Sequence, residues 1–302
     1  MANIKINLNF FLRLFLGLFF VLSAVLKIQS IDAFEIYIYS FGFLNLSTAF
    51  LMARLVISIE ILAGLLILFG VYFKKVVWAS ILMLIGFTVF ISYLYFTENE
   101  EHCHCFGDAI ELSHLSSILK NLVIIVLLIW AYRRFEFKSK YPKIIALVAL
   151  IISLVLPFAI SPPDNFSYEH YAKKVSYSET DLKAFLEDNT DFKEGKHVLT
   201  FYGTSCRFCK LASKKMTVIA DKSKHTDMLS CVFWGDEASI ENFYEETYST
   251  HFPYSTLDVG IFLRLTDGHM PLILLLENGQ VKANYGYRDL QEDEIIKFMS
   301  EK

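Results

Sequence analysis

The sequence is short of cysteine: there are five in 302 residues. That is too sparse for a small domain stapled by disulfides. It also lacks an excess of either charge, since 28 Lys and Arg face 32 Asp and Glu, a net −4. A nucleic-acid binder relies on a basic face, which this balance excludes. Apolar residues are not scarce. At 54% they exceed the ~45–50% of ordinary soluble chains. Intrinsic disorder, which needs an apolar-poor chain, is excluded as well. The length suggests about two domains. A membrane domain joined to a soluble one meets all of these conditions.

The long apolar runs lie in residues 1–162, and residues 163–302 read as an ordinary soluble domain. A membrane-crossing helix needs ~20 mostly apolar residues. Five segments meet that length: 9–28, 50–72, 76–96, 113–132 and 142–160. The fourth has polar first turns. The first is longer than the ~7–15 residues of a signal-peptide core, and no small-x-small cleavage site follows it, so it reads as a retained helix.

Basic residues then set the orientation, because they collect on the cytoplasmic side. Lys74 and Lys75 occupy the turn after the second span. Arg133, Arg134, Lys138 and Lys140 cluster before the fifth, with Lys143 just after them. Residues 29–49 and 97–112 hold no Lys or Arg, and the latter stretch is acidic (Glu98, Glu100, Glu101, Asp108, Glu111). The N-terminus is therefore expected in the cytoplasm, and five crossings place the C-terminal domain outside it.

Four ionisable residues within spans stand out: Arg13, Arg54, Glu60 and Lys120. Arg13 is near a helix end and can snorkel. Glu60 and Lys120 are at similar depths, and a pair between them would offset the cost of burying either charge alone. Arg54, near the outer end of its span, can snorkel or face a headgroup or quinone carbonyl. Arg54, Glu60 and Lys120 are accordingly the candidates for a quinone or proton path.

The stretch TENEEHCHCFGDAIE follows the third span. Cys103 and Cys105 lie there on the expected outer side, where thiols meet an oxidising compartment. A disulfide between residues i and i+2 is geometrically constrained, which suits exchange better than stapling. Metal is the rival reading, because His102 to Cys105 alternate N and S donors. Zinc ligands, however, usually come as C-x₂₋₄-C.

In the soluble half, the apolar run 197–202 leads through Gly203-Thr204-Ser205 into Cys206-Arg207-Phe208-Cys209, which opens a helical pattern over 206–223. Strand, turn and C-x-x-C at a helix start is the thioredoxin-like arrangement. Unpaired N–H groups at the helix N-terminus stabilise a thiolate, making Cys206 the expected attacker and Cys209 the resolver. No second C-x-x-C or H-x-x-H completes a zinc site. Residues 163–190 read as a polar lead-in. A strand is expected within 228–236, a helix over 238–249, a strand after Met270-Pro271, a turn at 277–279, another strand after it and a last helix at the C-terminus. Cys231, inside an apolar strand, reads as a small core hydrophobe.

Residues 197–302 resemble thioredoxin-like proteins of the TlpA/ResA type. The likeness rests on Cys206-Arg207-Phe208-Cys209 with Met270-Pro271, although Ser205 replaces the usual tryptophan before the pair and Arg-Phe the usual Gly-Pro within it. The resemblance implies that Pro271 is cis and that Met270 and Pro271 shape a substrate-binding face. Residues 9–132 resemble the DoxX/MauE family of redox-associated membrane proteins, through FFVLSAVLK (Phe19 to Lys27), EILAGLLILFG (Glu60 to Gly70) and Cys103-His104-Cys105-Phe106-Gly107. That family implies a link to maturation of a periplasmic amine dehydrogenase and a bacterial inner membrane. The layout is also similar to vitamin K epoxide reductase fusions, in which a quinone-linked bundle reoxidises an attached thioredoxin domain, but their in-membrane C-x-x-C is missing here.

The fold expected is an all-α membrane bundle, with four core helices in 1–135 and a fifth helix in 136–162, joined to a soluble α/β thioredoxin-like domain in 163–302. The function expected is thiol–disulfide exchange with extracytoplasmic proteins, relayed between Cys103/Cys105 and Cys206/Cys209. No covalent cofactor and no resident metal are expected, and quinone is the candidate small-molecule partner. A non-catalytic assembly factor and a metal-handling protein are the competing readings.

Overall fold

The computed structural model describes residues 2–97, 102–103, 112–134, 137, 139–164 and 175–301. The chain divides into two compact units, Met1–Tyr37 with Phe50–Pro162, and Ile38–Ala49 with Pro163–Lys302.

The first unit is built on α1 (Ala2–Gln29), the start of α2 (Ile31–Ser40), α3 (Leu46–Phe69), α4 (Phe73–Thr97), α5 (His114–Arg134) and α6 (Pro142–Ile160). Five stretches are long and apolar enough to cross a membrane: Phe10–Gln29, Leu46–Phe69, Phe73–Tyr93, His114–Arg134 and Pro142–Ile160. They match the five expected spans to within a few residues. The last is the shortest, at 19 residues. At ~1.5 Å per residue it still covers nearly the ~30 Å of a hydrocarbon core. The chain is a multi-pass membrane protein. Residues 31–40, expected as loop, form α2 instead. Its ten residues are too few to cross a bilayer, yet Phe34, Ile36 and Tyr39 are buried.

Helices α1, α3, α4 and α5 share a core that includes Leu16, Phe20, Ile67, Val77, Ile81 and Leu128. Two glycines set the α1–α3 crossing. A Cβ on Gly17 would lie 2.4 Å from Leu68 Cγ and 3.0 Å from Gly64 O, and one on Gly64 would lie 2.9 Å from Gly17 O. The backbones therefore touch, as small residues permit between membrane helices. Helix α6 buries only Ala149, Ser153 and Pro157, a stripe at four-residue spacing. Before α5, two short strands pair antiparallel: β1 (His102–Cys103) and β2 (Leu112–Ser113), with Cys103 opposite Leu112.

The second unit is an α/β domain around a five-stranded mixed sheet. Strand β3 (Lys196–Gly203) runs through its centre. It pairs in parallel with β4 (Leu229–Trp234) and antiparallel with β6 (Leu272–Glu277). The edges are β5 (Tyr254–Thr256), parallel to β4, and β7 (Gln280–Tyr285), antiparallel to β6, giving the order β5-β4-β3-β6-β7. Residues 198–203 are all buried, as a central strand covered on both faces requires. On one face Leu199, Phe201, Leu272 and Leu274 meet α7 (Glu179–Asp188) and α10 (Val259–Leu265) through Leu182, Phe185 and Phe262. On the other lie α8 (Arg207–Ser223), α9 (Glu237–Thr247) and α11 (Glu292–Ser300), and the Phe243 ring of α9 meets Tyr202 and Phe233 at 5.8 and 5.1 Å.

The expected elements from 197 onward are present. The stretch 163–190 is more than a polar lead-in, because α7 occupies 179–188 with Ser178 capping it by accepting from the Asp181 amide. Strand β5 and helix α10 were not expected either. Both are short, at three and seven residues, below the length at which periodicity speaks. Residues 38–49 belong to this unit, where Lys222 donates to Leu44 O at 2.6 Å and to Glu292 Oε1 at 2.7 Å.

Candidate redox site and buried charges

The C-x-x-C is placed by the end of β3. The Cys206 amide donates to Gly203 O at 3.0 Å, closing the turn out of the strand. Cys206 then takes the N-cap of α8, and its Sγ accepts from the Cys209 amide at 3.2 Å. Serine, threonine or aspartate usually caps a helix in this way, and here a sulfur does. Both thiols are free; Cys206 is half-buried and Cys209 fully buried.

That difference in setting separates their acidities. The Cys206 thiol is lowered to about 6, first by the hydrogen bond from the Cys209 thiol, then, against the opposing effect of burial, by the amides of Cys209 and Phe208 and the charge of Lys210. Cys209 is pushed far up, first by burial and then by its bond to Cys206. Lys210 is itself paired with Glu246. One sulfur is thus ionised and accessible, while its neighbour is held protonated behind it. This is what nucleophilic thiol chemistry followed by resolution requires.

The Met270–Pro271 bond is cis. It lies beside the thiols: a Cβ on Gly203 would come within 3.1 Å of Met270 Sδ and 3.6 Å of Cys206 Cβ. A groove of about 220 Å³ runs along this edge, lined by Phe208, His269, Met270, Pro271, Tyr287 and Arg288 among others. Its far wall is the turn Gly286–Asp289 after β7. Lys215, buried in α8, donates to Tyr287 O at 3.0 Å, and its ammonium stands 3.7 Å from the Tyr287 ring centre. The Asp289 carboxylate accepts from the Gly286 amide. Burial raises the Asp289 carboxyl. Sequence reasoning found Met270 and Pro271 but not this wall, whose residues carry no motif and reach the thiols only through the sheet.

Cys231 lies on β4 with 1% exposure, and its Sγ accepts from Thr200 Oγ1 at 3.2 Å. Burial raises its thiol to about 11. Cys103 is placed by its backbone in β1, and Cys105 lies outside the described residues. His104 does too, so the metal reading of that motif falls mostly beyond them. Among the described residues no cluster of three or more His, Cys, Asp or Glu side chains could hold a metal.

The membrane charges have partners that the sequence reading did not name. Glu60 is paired with Lys27 of α1, whose Nζ reaches both carboxylate oxygens at 2.8 Å and Ser23 Oγ at 2.9 Å. Lys120 of α5 is close enough to feel the charges of both Glu60 and Lys27, and Lys27 is an ion-pair partner of Glu60 that the sequence reading did not name. Lys27 escaped notice because it sits two residues from the end of its helix, where a lysine usually snorkels. Arg54 neither snorkels nor faces a headgroup. At 1% exposure it pairs with Glu35 of α2, and its Nε donates to Ser161 O at 2.8 Å. The unexpected helix α2 is what brings Glu35 there. Arg13 lies near the start of the Phe10–Gln29 span, with its guanidinium 4.6 Å from the Phe137 ring centre.

Comparison with known proteins agrees with the membrane half of the sequence reading. Residues 5–134 match the family described as methylamine utilisation protein MauE, so the first four membrane-spanning helices form a domain of that family. The three motifs that carried the resemblance all lie in the matched segment. The chain is also similar to Protein TlpB of Flavobacterium psychrophilum, 24% identical over 335 aligned residues that cover 92% of this chain and 91% of that one.

Proposed function

We propose that the protein is a membrane-bound thiol–disulfide oxidoreductase whose C-terminal unit is a thioredoxin-like domain on the extracytoplasmic side of a bacterial inner membrane. The observation that carries the reading is the Cys206 sulfur at the N-cap of α8, ionised near neutral pH, with protonated Cys209 buried behind it. The cis Met270–Pro271 peptide beside the groove supports it. In this reading the Cys206 thiolate attacks a disulfide of an extracytoplasmic protein and forms a mixed disulfide. Cys209 then attacks Cys206, releases the partner's thiol, and leaves Cys206–Cys209 oxidised. The reverse sequence oxidises a client. Cys103/Cys105 is the proposed internal partner, and tethering would hold the two pairs at millimolar effective concentration. Quinone is the proposed redox partner on the membrane side, with Arg54, Glu60 and Lys120 as the residues nearest a proton route. The burial of Arg54 and Glu60 in a bilayer-spanning bundle supports that assignment, because charges there are costly and mark functional sites.

The test is the Cys209→Ser variant of the full chain in native membranes. Without the resolving thiol the mixed disulfide should persist, and non-reducing peptide mapping should find Cys206 joined to Cys103 or Cys105. If Cys206 is found only free or bound to other proteins, and Cys103→Ser leaves the redox state of Cys206/Cys209 unchanged, the relay is refuted.

The match to methylamine utilisation protein MauE favours one second reading, an assembly factor that holds a client enzyme during maturation. In that case Cys206→Ser would leave client maturation intact, and loss of the membrane domain would abolish it.

A further inference from the structure

The groove beside Cys206 carries side chains that the exchange of sulfurs does not itself use. Phe208 and Tyr287 meet with ring centres 5.1 Å apart, and with Pro271 and Val175 they give the groove an apolar lining. The Arg288 guanidinium stands over both rings, 5.5 Å from the centre of Phe208 and 5.8 Å from that of Tyr287. A 2.9 Å ion pair to Asp164 orients this arginine, and 40% of its side chain remains exposed. The nearby carboxylates of Asp164 and Asp289 are buried, whereas Arg207, between Cys206 and Phe208, is exposed. On the Met270 side the exposed Asp267 accepts from Ser176, whose hydroxyl lies 3.4 Å from His269 Nδ1. A protein approaching the Arg288 side therefore meets cationic charge beside an aromatic wall.

That wall is fixed before any partner arrives. Lys215 donates to Tyr287 O, Asp289 accepts from the Gly286 amide, and Asn284 donates to Val175 O. A Cβ on Gly286 would come within 2.7 Å of Val175 Cγ2, so the turn is packed tightly against that edge. A preformed cleft gives up little entropy on binding. Its volume of about 220 Å³ suits one large apolar side chain. We infer that this groove reads the sequence around the reactive cysteine of an extracytoplasmic client protein. An aromatic side chain next to that cysteine lies against Phe208 and Tyr287, and a carboxylate beyond it meets Arg288. The occupant is an acidic, aromatic-bearing segment of a separate protein, and Arg288 sets the charge preference. The inference rests on the thiol–disulfide reading and names its substrate class. The Cys206 thiolate bonds to the client cysteine as the client disulfide breaks, and the client's other sulfur leaves as a thiolate. Cys209 then gives up its proton, bonds to Cys206 and releases the first client sulfur as a thiolate. The client disulfide gains two electrons from the Cys206/Cys209 pair, and its two thiolates take up protons from Cys209 and from solvent.

The experiment uses the full chain in nanodiscs with Cys209→Ser to trap the adduct and with Cys103→Ser and Cys105→Ser to remove competing thiols. The probes are short synthetic peptides, each with one cysteine and each supplied as its symmetric disulfide, so that attack on either sulfur gives the same product. Quenched mass analysis and peptide mapping follow the rate of the Cys206–peptide disulfide. A peptide with phenylalanine beside its cysteine should react about tenfold faster than one with alanine there, the scale of one aromatic anchor. Glutamate after the phenylalanine should be favoured over lysine by about fivefold at low salt, the upper range for an exposed ion pair, and the ratio should shrink towards one at about 1 M salt. Arg288→Gln should remove the preference for glutamate and keep the preference for phenylalanine, with thermal unfolding checking that the variant is folded. The peptide series on the unaltered groove carries the test even where that variant fails to fold. Equal rates for all peptides, or a preference for lysine, overturn the groove assignment and leave the redox reading standing. A glutamate preference that persists in folded Arg288→Gln overturns the role of Arg288. Failure of Cys206 to form a disulfide with any of the peptides overturns the redox reading, and this inference with it.

Discussion

The acidity of Cys206 makes the sharpest prediction, because ionisation and nucleophilicity pull the rate in opposite directions. With a thiol lowered to about 6, half of the Cys206 population is thiolate at pH 6. An ordinary cysteine near 8.5 is then only about 0.3% ionised, so Cys206 has an advantage of roughly 150-fold in reactive form. A less basic thiolate is a weaker nucleophile, and a Brønsted slope of ~0.4–0.5 over 2.5 units removes about tenfold. The net expectation is that iodoacetamide labels Cys206 about tenfold faster than a reference thiol at pH 6. The order reverses above pH 9, where both are ionised and the Cys206 thiolate is the weaker nucleophile. The largest lowering contribution is the hydrogen bond from the Cys209 thiol, so the variants should separate. Cys209→Ala removes that donor and should move the labelling midpoint up by about one unit, still short of 8.5 because the cap amides remain. Cys209→Ser keeps a donor and should move it less. The sign for stability follows from the same shift: ionised Cys206 favours the folded dithiol form above the unfolded value near 8.5, and this contribution fades as pH falls through about 6. A wild-type labelling midpoint near 8.5, or labelling of Cys209 before Cys206, would refute the capping argument and the assignment of attacker and resolver together.

Three further outcomes follow from the same geometry. Glu60→Gln or Lys27→Met leaves a buried charge without its partner and should cost about 3–5 kcal/mol, measurable as reduced thermal stability in detergent, whereas Lys27→Met with Glu60→Met together should recover much of the loss. Gly17→Leu should lower stability by at least ~1–3 kcal/mol, because even its Cβ would stand 2.4 Å from Leu68 Cγ, and Gly86→Ala, which meets nothing within 4 Å, serves as the silent control. Cys231 should resist alkylation under native conditions up to pH 9, since it is 1% exposed with its thiol raised to about 11, and Cys231→Ala should leave thiol exchange at Cys206 unchanged.

The five membrane helices were legible because the bilayer imposes a length and a composition that one chain must satisfy locally. The C-x-x-C at a helix start was legible for a related reason: strand, turn and helix are contiguous in sequence, so the cap that lowers Cys206 is contained in a dozen residues. The short elements were less so. Helix α2, strand β5 and helix α10 are held by what they pack on, and their own periodicity is too brief to announce them.

The partners of the buried charges belong to the tertiary structure alone. Sequence depth suggested Lys120 for Glu60, and Lys27 as a further partner was not visible, because rotation about each helix axis decides which side chains meet. The touching backbones at Gly17 and Gly64 place α1 against α3, and this is the packing in which Lys27 reaches Glu60. Arg54 was visible as a charge in a span, while Glu35 became its partner only once residues 31–40 folded into a helix beside it. In the second unit, the turn Gly286–Asp289 lies about 80 residues from Cys206 in sequence, and strand β3 beside β6 and β7 brings it to the thiols. The sequence by itself determined the C-x-x-C at a helix start and the spans, because those depend on neighbours along the chain. The groove wall and the ion pairs depend on neighbours across it, and only packing could choose them.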